Sequence, residues 1–229
     1  MTAELTTVAT MPEPQSSVLQ SSAPVIVRKG VTTSKRVAFS FDAGSDSGHT
    51  ADILDRLAAE HLRVSFGLTG DFAAKYPDLV RRMARDGHHF INHSQSHPSF
   101  TGFSTSSKPL TSAQRQAELA AADDVISALT GTTTKPWFRP PYGDLDSGVA
   151  QDVAAAGYPM IAMWTVDSLG WKSTPAGQVV ERCLSRIEPG AVYLFHVGSA
   201  STDADALADI IAGIRSAGYK IVSVADIMS

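Results

Sequence analysis

Residues 36–68 read RVAFSFDAGSDSGHTADILDRLAAEHLRVSFGL, and this stretch decides the fold. Arg36–Phe41 is a short β-rich run, and Asp42–Ser47 follows with turn-forming residues. Thr50–Glu60 then places its large apolar side chains at helical spacing, on one face. Val64–Leu68 is a second strand candidate, so the stretch predicts a strand, a helix and a strand in succession.

This alternation of strands and helices continues about seven times along the chain. Further strands are predicted at 88–92, 160–166, 191–196 and 219–224, and further helices at 77–85, 112–130, 149–156, 176–187 and 203–216. The pattern predicts an α/β fold with parallel strands and crossover helices, either an open doubly wound sheet or a barrel. No glycine-rich G-x-G-x-x-G loop follows the first strand, which disfavours a dinucleotide site.

Length and composition bound the organisation and the partners. The 229 residues correspond to roughly 1.5 average domains. We therefore expect a leader at 1–24 and one catalytic domain at 25–229. A net charge of −4 disfavours nucleic-acid binding, and the single cysteine excludes an intrachain disulfide. The apolar runs are too short for a membrane span.

The first 24 residues are rich in Thr, Ser, Ala and Pro and carry little charge. They lack the basic and apolar regions of an intact signal peptide, so a flexible leader or linker is predicted. An export signal that lay upstream of this chain is the alternative, and the sequence does not separate the two.

Polar, reactive side chains follow several predicted strands. They are Asp42 and Asp46 after the first strand, His93 and His97 after the third, Arg139 before a proline turn, Asp167 after residues 160–166, and His196 at the end of residues 191–196. In parallel α/β folds the chemistry gathers beyond the carboxyl ends of the strands. Strands that are distant in sequence therefore deliver titratable side chains to one rim.

The two histidines suggest a metal site. At positions i and i+4, His93 and His97 lie on one face of a helical turn and can bind one ion through ring nitrogens. Asp42 and Asp46 are the nearby carboxylates that a zinc-type ion needs in addition. Surface or capping histidines are the alternative interpretation of the pair.

Other residues have roles in acid–base chemistry and substrate binding. Arg139 can hold Asp42 ionised as a general base, and His196 can act as general acid toward a leaving group. Pro140 begins a proline turn that directs the backbone N–H of Tyr142 toward an oxyanion. Trp171 offers a wall for a sugar. The alternatives are a turn aspartate, an ordinary ion pair, packed aromatic side chains and a buried structural histidine.

Five blocks of the sequence, in this order, resemble those of the polysaccharide deacetylase family: Phe39–Gly44 (FSFDAG), His93–Pro98 (HSQSHP), Arg139–Gly143 (RPPYG), Val166–Trp171 (VDSLGW) and Leu194–His196 (LFH). The resemblance covers residues 36–228. It implies a distorted (β/α)7 TIM-like barrel, and a divalent metal held by two histidines and an aspartate. Zinc is the expected metal, with cobalt and nickel as alternatives. It also implies an aspartate base and a histidine acid.

Two positions depart from the family pattern. Ala43 stands where the family has its metal-binding aspartate, and Gly170 stands where it has the aspartate that tunes the acid histidine. We therefore expect Asp46 to complete the metal site with His93 and His97. We expect Asp167 to take the place of the second aspartate and to orient His196.

The resemblance implies metal-dependent hydrolysis of acetyl groups on a glycan. The expected groups are the N-acetyl groups of an amino-sugar polymer such as peptidoglycan or a chitin-like oligosaccharide. A secreted or cell-envelope location follows, with any export signal absent from this chain. A metal-free amidohydrolase acting on a small amide and a noncatalytic glycan-binding module are the alternatives, motivated by the two departures.

Overall fold

The computed structural model of the protein describes residues 23–44 and 46–229. The predicted leader, residues 1–24, lies outside the described residues except for its last two. The strands are β1 (Val25–Val27), β2 (Arg36–Ala43), β3 (Ser65–Leu68), β4 (His89–Asn92), β5 (Trp137–Phe138), β6 (Met160–Ala162), β7 (Val166–Asp167), β8 (Val192–His196) and β9 (Lys220–Val222). The helices are α1 (Thr50–Ala59), α2 (Gly70–Lys75), α3 (Pro77–Arg85), α4 (Ser112–Thr130), α5 (Ser147–Ala155), α6 (Ala176–Leu184) and α7 (Asp203–Ser216).

The strands form one sheet in the order β1-β6-β5-β4-β3-β2-β8-β7, with β9 also paired to β2. The pairings between these strands are parallel. Parallel neighbours need crossover connections, and helices supply most of them here. The sheet curls into a distorted barrel with its helices outside, so the predicted α/β, (β/α)7 TIM-like architecture is confirmed.

Strand β2 shows how the sequence builds this barrel. Its odd-numbered side chains, from Val37 to Ala43, pack in the large apolar cluster between the sheet and the helices. Its even-numbered side chains point to the barrel interior, because successive residues of a strand face opposite sides. Ala38 joins the interior apolar cluster, and Ser40 and Asp42 lie above it and bind Arg139. The last inward position of the longest strand is therefore a carboxylate.

Several elements differ from the sequence prediction, which includes neither of the short strands β1 and β5. Residues 160–166 were expected to be one strand, but β6 pairs with β1 and β5 whereas β7 pairs with β8. The apolar run is divided between the two ends of the curled sheet. Helix α2 was not predicted, because six residues are too few for a clear periodic pattern. Its start is stabilised by Thr69, whose Oγ1 accepts a hydrogen bond from Phe72 N.

Within residues 23–44 and 46–229, none of the helices has both the length and the apolar character that a bilayer crossing requires.

The histidine before β4 makes stability depend on pH. His88 is buried, its Nδ1 accepts a hydrogen bond from Val64 N at 3.2 Å, and burial lowers its pKa from 6.5 to about 4. Between these values the unfolded chain binds a proton that the folded chain does not. We therefore expect His88 by itself to lower the free energy of unfolding by up to about 3 kcal/mol as pH drops from 6.5 to 4. Urea denaturation over this range measures the loss.

Two variants test this assignment. In His88→Asn the amide oxygen can still accept from Val64 N but does not titrate, so the slope of stability against pH should become smaller. Some slope should remain, because burial also lowers the pKa values of His89 and His97 to about 4. The exposed His61 gives the matched control, and His61→Asn should keep the wild-type slope. An unchanged slope in His88→Asn would contradict the assignment.

Candidate active site

The site is built on Arg139, whose side chain is fully buried in the barrel interior. Its Nη1 donates to Asp42 Oδ1 at 2.6 Å, its Nη2 to Ser40 Oγ at 2.9 Å, and its Nε to the carbonyl of Ala162 at 3.1 Å. A buried guanidinium is tolerated only when it is paired and hydrogen-bonded in this way. The predicted contact between Arg139 and Asp42 is therefore present, at the centre of the barrel.

Asp42 lies at the end of β2 and is only 8% exposed. Burial by itself would raise its pKa, but Arg139, His93 and His196 together bring the pKa of Asp42 below its usual value. The carboxylate is thus ionised at neutral pH, with one oxygen on Arg139. Its other oxygen lies 3.4 Å from His93 Nε2. This places a free acceptor atom beside the two histidines.

His93 and His97 lie together, but not in the predicted way. Residues 93–97 form a loop rather than a helical turn, with Ser94 and His97 at φ values of 67° and 61°. Ser94 Oγ accepts from His97 N at 3.0 Å and closes the loop. The two imidazole rings are 4.8 Å apart. The spacing of the two histidines therefore predicted correctly that they lie together. The helical turn that was assumed to bring them together was wrong.

The orientation of His93 is suitable for a residue that binds a metal ion. Its Nδ1 lies 2.9 Å from the carbonyl oxygen of Arg139, and a carbonyl only accepts, so Nδ1 donates and Nε2, 3.4 Å from Asp42 Oδ2, keeps its lone pair. Metal-binding histidines are commonly fixed by such a contact. Burial lowers the pKa of both rings, that of His97 to about 4, so both are neutral at pH 7.

The third ligand of a two-histidine, one-aspartate site is not in place. Asp46 accepts hydrogen bonds from Ser199 N at 2.8 Å and from Ser199 Oγ at 2.9 Å, so the structure does not bring it together with the histidines. Ala43 packs among apolar side chains. Over residues 23–44 and 46–229, no three His, Cys, Asp or Glu side chains are arranged to hold an ion. The side chains as placed do not fit the metal that the resemblance implies.

A cavity of about 610 Å³ opens above these groups. Its lining includes Asp42, His93, His97, Pro140, Tyr142, Asp167, Trp171 and His196. Tyr142 is 52% exposed, has a φ of 61°, and places its ring 4.6 Å from that of His97. Trp171 is 45% exposed, with its ring 6.2 Å from His196. Exposed aromatic faces around a polar floor suit a carbohydrate.

Asp167 is placed differently from its predicted role. Its carboxylate accepts from Leu169 N at 2.9 Å and faces Nε1 of Trp171 at 3.3 Å. It therefore orients the tryptophan rather than His196. His196 ends β8 in register with Asp42, and its Nδ1 is buried with no hydrogen-bond partner among the described residues.

Known proteins with similar sequences identify the family of this chain. Residues 29–161 match the family model described as Polysaccharide deacetylase. The chain is 31% identical over 202 residues to the peptidoglycan-N-acetylmuramic acid deacetylase PdaA of Bacillus subtilis, covering 87% of this chain and 73% of that protein. This chain belongs to the polysaccharide deacetylase family. The predicted family, and with it the class of carbohydrate-esterase hydrolase, is confirmed.

Solved structures of the deacetylase family share the fold. The Bc1960 peptidoglycan N-acetylglucosamine deacetylase superposes with a TM-score of 0.81 at 27% identity, over 89% of this chain and 92% of that one. A mutant of BA3943, a family-4 carbohydrate-esterase pseudoenzyme with restored enzymatic activity, has a TM-score of 0.81 at 25% identity, over 90% of this chain and 72% of that one. A deacetylase and a pseudoenzyme whose activity was restored by mutation thus share this architecture.

Sequence reasoning missed one charged residue of the deacetylase site, Asp203. This first residue of α7 is fully buried, and its Oδ2 accepts from His196 N at 2.7 Å and from Ser201 Oγ at 2.9 Å. Burial raises the pKa of Asp203. In the sequence, Ser201-Thr202-Asp203 resembles an ordinary helix start, and six residues lie between His196 and Asp203. No local signal connects it to the site.

The position of Asp46 leads to a prediction about zinc binding. Because Ser199 holds both oxygens of Asp46, we expect Asp46→Ala to change zinc affinity by no more than about twofold, whereas His97→Ala should lower it at least about tenfold. Competition titration with a chromophoric chelator measures both variants. A loss of zinc in Asp46→Ala equal to that in His97→Ala would restore Asp46 as a ligand.

Proposed function

We propose that this protein hydrolyses acetyl groups from a glycan, acting on the N-acetyl groups of an amino-sugar polymer such as peptidoglycan or a chitin-like oligosaccharide. The observation that carries the proposal is the Asp42 carboxylate, held ionised by buried Arg139 at the floor of an open cavity with aromatic walls. The relatives named above as peptidoglycan deacetylases support this class of substrate. Such a substrate fits a role at the cell envelope or outside the cell.

The first step is attack by water on the acetyl carbonyl carbon. The oxygen of Asp42 that faces His93 accepts a proton from this water, and the opposite oxygen stays on Arg139. Fixing the carboxylate in one orientation places the base within reach of the water before the substrate arrives. The N–H of Tyr142 donates to the oxyanion that forms, and the left-handed conformation of this residue sets its direction.

The second step is departure of the amine. His196 lies across the cavity from the histidine pair, on the strand next to β2. It donates a proton to the sugar nitrogen as the carbon–nitrogen bond breaks, which releases acetate and leaves a free amine. Trp171 and Pro140 line the cavity and bind the sugar, and Asp167 fixes the tryptophan ring through its Nε1.

The polysaccharide deacetylase family is generally metal-dependent. His93 and His97 supply the imidazoles that zinc, cobalt or nickel would take, but the carboxylate ligand is lacking. We propose that this chain binds such an ion weakly, and no step above passes through it. The missing ligand also favours a second candidate, a noncatalytic glycan-binding module, and wild-type BA3943, a pseudoenzyme, shares the fold. Glycan binding without acetate release, under all metal conditions, would select that candidate.

The assignment of Asp42 as base is tested by Asp42→Asn. The amide keeps a similar shape but cannot accept the proton, so acetate release from peptidoglycan should fall about 10²–10⁴-fold. Thermal unfolding must be measured in parallel, because the variant also leaves Arg139 without its buried partner charge. Asp209→Asn, an exposed site on α7, is the control and should keep wild-type turnover. Near wild-type turnover in a folded Asp42→Asn protein would discard the base assignment.

The role of His196 as acid distinguishes amide from ester substrates. An amine leaves poorly without a proton, whereas 4-nitrophenolate leaves readily as an anion. We therefore expect His196→Asn to lose about 10²–10⁴-fold in N-deacetylation and much less in 4-nitrophenyl acetate hydrolysis. Equal losses on both substrates would contradict an acid role and indicate a structural one.

A further inference from the structure

We propose that Asp203 is the positioning residue for His196, supplied by α7 across the space that Gly170 leaves open. This inference rests on the proposed function, in which His196 is the general acid. It replaces the expectation that Asp167 supports His196, since Asp167 contacts Trp171 instead. Three independent features of the structure lead to it.

The first feature is the anchoring of the carboxylate. Asp203 is 0% exposed, and a charge so deeply buried requires compensating hydrogen bonds. His196 N and Ser201 Oγ donate to Oδ2. The carboxylate is therefore bound to the backbone of the very residue that is proposed to carry the proton.

The second feature is a matched pair of unsatisfied atoms. Oδ1 of Asp203 and Nδ1 of His196 are both buried, and neither has a hydrogen-bond partner within the described part of the chain. One is an acceptor and the other can be a donor, and a buried polar atom without a partner is destabilising. A hydrogen bond from Nδ1 to Oδ1 would satisfy both atoms. It would also fix the tautomer that directs Nε2 to the cavity.

The third feature explains the glycine. A Cβ atom built on Gly170 would overlap the Asp203 carboxylate, with Cγ of Asp203 only 2.6 Å away. The glycine is needed here for space and not for a left-handed backbone, because its φ does not lie in that region. The carboxylate thus occupies the volume that a side chain at position 170 would fill. Only one of the two positions can carry a carboxylate.

Because positions 170 and 203 cannot both carry a carboxylate, the proposal can be tested by moving the carboxylate from position 203 to position 170. Asp203→Asn should lower kcat for N-deacetylation at least about tenfold, with KM changed much less, because only the orientation and charge of the acid are affected. Gly170→Asp alone should be destabilised and poorly active by overlap with Asp203. The double variant Gly170→Asp/Asp203→Gly removes the overlap and returns a carboxylate to the same space, so it should recover much of the lost kcat. Asp205→Asn, exposed on the same helix, is the matched control and should behave as wild type.

A spectroscopic readout separates this inference from the proposed function. With ¹⁵N-labelled histidine, the His196 resonances should show the Nδ1–H tautomer in the wild type and in the double variant, and a different tautomer balance in Asp203→Asn. His196→Asn identifies the resonances among the seven histidines. An unchanged tautomer in Asp203→Asn, or a double variant as inactive as folded Asp203→Asn, would overturn the role of Asp203. A correct tautomer pattern without acetate release on any glycan would overturn the proposed function alone.

Discussion

The buried guanidinium of Arg139 is the constraint on which the rest of the site depends. A charge at the centre of the barrel is stable only because Asp42, Ser40 and a backbone carbonyl all accept from it. Those acceptors come from β2 and from the end of β6, so the ion pair joins strands that are far apart in the chain. Through its own carbonyl, Arg139 also orients His93. One residue thus fixes the candidate base and one imidazole of the pair.

The site differs from the family pattern at positions 43 and 170. Among the described residues, a carboxylate from another element lies beside position 170, but none replaces the one missing at position 43. At position 43 the lost carboxylate is not replaced by the side chains described, because Asp46 is held by Ser199. At position 170 the lost side chain leaves a space that the carboxylate of Asp203 fills from another element. The proposed positioning role of Asp203 would therefore compensate on the acid side of the cavity, whereas the described residues provide no such replacement on the metal side.

Much of the fold could be predicted because its signals are local. Helices α3, α4 and α7 begin and end where the sequence predicts, because local signals mark their ends, such as the capping box at Thr111 before α4 and Gly131 after it in the left-handed conformation. The division of residues 160–166 between two strands could not be predicted. An apolar run indicates that a segment is buried, but it does not indicate which neighbouring strand the segment will pair with.

For the site, the sequence by itself determined which segments supply the candidate reactive side chains. Parallel strands bring their carboxyl ends to one rim. The side chains that follow those ends are Asp42, His93, His97, Arg139 and His196. Only the tertiary structure decided which side chains meet. It turned Asp46 to Ser199, placed Asp167 against Trp171, and inserted Asp203 beside Gly170. The physical reason is that such contacts depend on ångström-scale packing between elements far apart in the chain, whereas spacing along one strand or helix reports only its own geometry.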